Sequence, residues 1–115
     1  MDWAVIRTLT LAAMVVGAPM AAFAHQLIVF ASVDCTEVTV EAKFTSGNVA
    51  QVGDVRVLDD QNQILMELTL DQDGTARVPL DQVDHSRGLV VEVDTGSHDN
   101  YWIVTPEDFA RKCGS

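Results

Sequence analysis

The chemistry available to this sequence is concentrated in three histidines, His25, His85 and His98, two cysteines, Cys35 and Cys113, and a large excess of carboxylates. His25 stands at a join, in "AAFAHQLIVFASVD", between a run of small residues and a run that reads as a β-strand. Ahead of it, Arg7 provides a short positive lead, Thr8 to Ala18 is almost wholly apolar, and Ala22-Phe23-Ala24 has the A-x-A form of a signal-peptidase site. The apolar run is shorter than the roughly 20 residues of a spanning helix, and Pro19 interrupts it. A secretory signal peptide over residues 1–24 is therefore expected, with a single mature domain over 25–115. Cleavage after Ala24 makes His25 the first residue, so that a free α-amine and an imidazole share one residue.

An α-amine and the Nδ1 of the same histidine close a chelate ring on a metal ion, and a second imidazole completes a three-nitrogen site. Such donors suit nickel, cobalt, copper and zinc, and disfavour calcium and magnesium. The amine must shed a proton that titrates near ~8 in a free terminus, so binding weakens as pH falls. The terminal copper and nickel motif with histidine in third place is absent, since Leu27 would stand there. His98, in "GSHDNYW", is the candidate second imidazole, with Asp99 beside it in a supporting role. His85, in the polar turn "DHSRG", reads as a solvated surface residue.

Other chemistries find little support. "DQDGT" at 71–75 fails as a calcium loop, because Ala76 stands where glycine is needed and Gln82 where the closing glutamate is needed. A hairpin turn accounts for it. There is no phosphate-binding glycine loop, G-x-S-x-G elbow or CxxC pair. A formal net charge of −10 is unchanged by loss of the leader, where Asp2 and Arg7 cancel. Nucleic acid and anionic membrane surfaces are thus poor partners and cations good ones. Cys35 and Cys113 lie near opposite ends of the mature chain, and in an exported protein one disulfide is the economical reading. The alternative, soft metal ligation, lacks a second cysteine or histidine at chelating spacing.

The elements that must position these residues are mostly strands. Val38, Val40, Ala42 and Phe44 alternate with Thr39, Glu41 and Lys43; Ile64, Met66, Leu68 and Leu70 alternate with Glu67 and Thr69; Leu89, Val91 and Val93 alternate with Glu92 and Asp94. Leu27 to Val33 is apolar at nearly every position, which reads as a strand covered on both faces or bordered by the terminus. Val55 to Leu58, Thr75 to Leu80 and Asn100 to Thr105 bring the count to about seven. Turn-rich breaks such as "TSGN", "DDQNQ" and "DTGSHD" separate them. Only Pro106 to Lys112 reads as helix, with Thr105 as N-cap, acids in the first turn and bases in the last. The expected fold is all-β: an antiparallel Greek-key β-sandwich of about seven strands with a short C-terminal helix.

The order of short motifs along the mature chain resembles the small exported accessory proteins of nickel and cobalt uptake transporters of the energy-coupling-factor type. The residues that carry the likeness are His25 after the leader, Val29 to Ala31, the "V-x-V-x-D" strand Val55 to Asp59, the "D-x-x-G" turn Asp71 to Gly74, then Gly96, His98 and Trp102. The cysteine pair and the C-terminal helix lie outside that pattern. The resemblance implies a transthyretin-like or carboxypeptidase-regulatory-like sandwich in the periplasm, delivering Ni²⁺ or Co²⁺ to membrane subunits of an uptake transporter. It assigns metal binding to His25 and His98, with Asp99 in support, and no catalysis. Two alternatives remain open from the residues: an interaction domain that docks on transporter subunits without metal, and a periplasmic protein that binds Cu²⁺. An oxidative enzyme acting on polymers would need a broader aromatic face than Tyr101 and Trp102 offer.

Overall fold

A computed structural model describes residues 25–113. The expected signal peptide, 1–24, lies outside the described residues. Seven strands form two antiparallel sheets: β1 (Leu27–Val33), β2 (Glu37–Phe44), β3 (Asp54–Leu58), β4 (Ile64–Thr69), β5 (Thr75–Pro79), β6 (Leu89–Asp94) and β7 (Asp99–Val104). One sheet has the order β1-β2-β5 and the other β4-β3-β6-β7. The non-consecutive neighbours β2–β5 and β3–β6 are the crossovers of a Greek-key sandwich. A short helix, α1 (Pro106–Cys113), closes the chain. No described helix is long and apolar enough to cross a membrane.

Alternation explains each strand. Val38, Val40, Val55, Val57, Val78, Val91 and Val93 are fully buried between the sheets, and among the described residues no polar side chain is buried with them. β-branched side chains suit a pleated, half-buried surface and lose little rotamer freedom there. In β1 the buried set is Leu27, Val29, Ala31 and Val33, while Ile28 and Phe30 remain 41% and 43% exposed. The strand is thus covered on one face only, contrary to the reading of a doubly covered strand: an outer apolar residue cannot be buried where no third layer exists.

A second departure concerns "DQDG". The turn is there: Asp71 N–H donates to Thr75 O, Gly74 N–H donates to Asp71 O, and Asp71 Oδ1 accepts from the amides of Asp73 and Thr75. Yet β4 and β5 belong to different sheets, so it is a corner between layers and not a hairpin. Gly74 is required at this corner. Its φ of +75° disfavours other residues, and a Cβ would stand 2.7 Å from Ala42 O.

Thr105 caps α1 as expected. Thr105 Oγ1 accepts from Asp108 N–H at 3.1 Å while Asp108 Oδ2 accepts from Thr105 N–H at 2.9 Å, a reciprocal capping arrangement. These bonds, the Thr105 amide foremost, and the paired Arg111 hold the Asp108 carboxyl below its ordinary value of 3.8. The helix buries Phe109 and carries Cys113 to Cys35 in the β1–β2 turn, where the two form a disulfide with Cα atoms 5.3 Å apart. Such a bond belongs to oxidising, extracytoplasmic surroundings.

The bridge closes a loop of 78 residues, so breaking it with Cys35→Ser and Cys113→Ser is expected to lower unfolding free energy by about 2–4 kcal/mol, measured by denaturant titration. Asp108→Asn is expected to destabilise the neutral protein. Because the folded-state acidity of Asp108 is enhanced, its contribution is complete above pH 3.8 and lost as pH falls further, so the gap between variant and parent in acid titrations should close there.

Candidate functional site

The start of β1, the end of β2 and the β6–β7 turn meet at one end of the sandwich. Leu27 pairs with Phe44 in the β1–β2 register. Just before it, Gln26 is fixed from both sides by one residue: its N–H donates to Thr45 Oγ1 at 3.1 Å and its carbonyl accepts from Thr45 N–H at 2.9 Å. His25, exposed, immediately precedes this anchor.

His98 arrives from the opposite sheet. The turn "DTGSH" reverses the chain through Gly96 at φ +96°, with Gly96 N–H donating to Asp94 Oδ1. Thr95 then clamps the backbone of His98: Thr95 N–H donates to His98 O at 2.8 Å, and Thr95 Oγ1 accepts from His98 N–H at 3.2 Å. The imidazole is half-buried, edge-on to Phe44 with ring centroids 5.5 Å apart, and its Nδ1 lies 2.9 Å from Ser97 Oγ. Its Nε2 has no hydrogen-bond partner among the described residues. Gln26, Leu27, Ser97, His98, Asp99 and Asn100 line one open depression of about 270 Å³. His98 is thereby brought to the end of the molecule from which His25 projects.

Asp99 also borders the depression, but its strand register sets it beside Asp94, which in turn pairs with Asp54. It belongs to a carboxylate row across β3, β6 and β7. Among the described residues no three His, Cys, Asp or Glu side chains converge as a metal cage.

His85 departs from the surface reading. It is half-buried against α1, its ring 4.8 Å from that of Phe109, and its Nδ1 is 3.2 Å from Val83 O. The disulfide-linked end carrying α1 and Cys35 is the far end of the β1–β2 hairpin from His98.

Asn100 is the residue that sequence reading missed. It pairs with buried Val93, so it points to the core side of β7, and its Nδ2 donates to Leu27 O at 2.9 Å across the gap between the sheets. Two residues along, Trp102 meets Phe30 edge-on with centroids 5.0 Å apart. These two contacts join β1 to β7, which share no ladder. The signal was a lone amide at an inward position of an apolar alternation.

No protein-family model, curated protein or solved structure matches the chain.

Asn100→Ala is expected to cost about 1 kcal/mol and leave the Leu27 carbonyl unpaired. Amide exchange in β1 should then accelerate near Leu27 and less near Val33, a gradient measurable by mass spectrometry or NMR.

Proposed function

We propose that the mature protein is an exported, periplasmic carrier that holds Ni²⁺ or Co²⁺ as cargo and passes it to the membrane subunits of an uptake transporter. In this reading the α-amine and imidazole of His25 and the Nε2 of His98 are the donors, and Asp99 contributes charge nearby. The observation that carries it is the common location of His98 and the β1 start, with Gln26 and His98 lining one depression. Ser97 beside His98 Nδ1 suits a ring that presents Nε2 outward. The disulfide is consistent with export.

The donor set fits the cargo. Neutral nitrogen donors favour late first-row divalent ions over calcium and magnesium. Only three donors on an open surface leave coordination positions to water or to a receiving site, which suits transfer. The acidic surface raises the local concentration of cations. In this reading the role is carriage and not catalysis. Copper binds the same donors more tightly, and competition between Cu²⁺ and Ni²⁺ at physiological activities separates the two cargoes.

Calorimetric titration of the secreted protein with Ni²⁺ and Co²⁺ is expected to give one site, weakened by about tenfold or more in His25→Ala and in His98→Ala. Acetylation of the α-amine should weaken it comparably with every side chain intact, and lowering pH from about 8 to 6 should do so progressively. Unchanged binding in both histidine variants, or an intact mass that does not start at His25, removes the assignment.

A further inference from the structure

The two long sides of the sandwich differ. On one, β1 and β7 are joined by the Asn100 and Trp102 contacts. On the other, β4 pairs only with β3 and β5 only with β2, so both present unpaired backbone edges. Between them lies a cleft of about 700 Å³ with Val55, Leu68 and Ala76 at its base. Met66 and Leu68 face the core from β4 yet stay half-buried, because none of the described residues covers them from this side.

The edges are unequal. β5 ends in Pro79, which has no N–H to offer, a common way of blunting an edge. β4 has a register irregularity near Leu58, but from Met66 to Thr69 it is regular and carries one charge, Glu67. The charge around the cleft is also unbalanced. Arg56 is paired with Glu92 and Arg77 with Glu37, whereas Asp54, Glu67 and Asp94 have no ion-pair partner among the described residues. Asp54 and Asp94 are direct cross-strand neighbours, a like-charge pairing that a cation between them would relieve.

We infer that the β4 edge is a docking site for an extended segment of another polypeptide with alternating basic and apolar side chains. Its backbone adds a strand beside β4, its apolar side chains cover Leu68 and Met66, and its basic ones meet Glu67 and, one strand further in, Asp54. A second copy of this chain is a poor occupant: β4 against β4 sets the same acids against each other, between two molecules that each carry −10. The inference does not depend on metal binding at His25 and His98.

The probe is a synthetic peptide of about eight residues alternating lysine and valine, with a glutamate–valine counterpart as control. The lysine peptide is expected to bind below about 1 mM and to slow amide exchange in Met66 to Thr69 selectively. Binding should fall by about tenfold in the double variant Asp54→Lys, Glu67→Lys, whose exposed sites leave the melting transition cooperative. The inference is overturned by no binding at that concentration, by equal binding of the acidic peptide or to the double variant, or by protection centred on β1 and β7. A peptide-free dimer with β4 protected would overturn it in favour of a second copy.

Discussion

Everything in this molecule is arranged around a thin layer of valines that excludes water completely. Val38, Val40, Val55, Val57, Val78, Val91 and Val93 fill the space between two sheets with short, stiff, branched side chains. Such a layer tolerates no unpaired polar atom, because an amide or carboxylate placed there would lose its hydration without replacement. The chemistry of the chain is consequently displaced to the periphery. His25 and His98 lie at one end, the carboxylate rows on outer faces, and the disulfide at the other end.

The same layer explains the different closures of the two sides. A sandwich of three and four strands has four edges to manage. At β1 and β7 a single inward amide, Asn100, reaches the facing carbonyl, and an aromatic pair shields the gap beside it. At β4 and β5 the chain turns the corner through Asp71 to Gly74, which separates the strands into different layers and leaves the cleft between them. The corner is tight because Gly74 approaches the Ala42 carbonyl more closely than any side chain permits. One turn of four residues thus determines that this side of the molecule stays open.

Electrostatics act at longer range on top of this packing. Asp34, Asp84 and Asp108 each accept hydrogen bonds from their own turn or helix start, and those bonds favour the ionised form and hold the carboxyls below their ordinary value. They are structural acids. Asp54, Glu67 and Asp94, on the outer face of β3, β4 and β6 and without an ion-pair partner among the described residues, make that face electrostatically negative.

Strand number, strand limits, the capped helix and the cysteine pairing were legible in the residues, because period-two alternation, turn chemistry and a capping threonine are local properties read within a few positions. The candidate histidines and Asp99 were legible as residue types, and their meaning was not. Whether His98 shares an end with the start of β1 depends on the β1–β2 register and on which sheet receives β7, long-range facts that no short window contains. Leu27 to Val33 illustrates the limit: its continuous apolarity could not distinguish a doubly covered strand from an edge strand with an exposed face, since that depends on whether another layer exists. Nor could "DQDG" reveal whether it joined paired strands or turned between layers. The chain by itself determined which segments extend and which side chains seek the core; only the tertiary structure decided which edges meet, because edge pairing is settled by the packing of the whole valine layer at once.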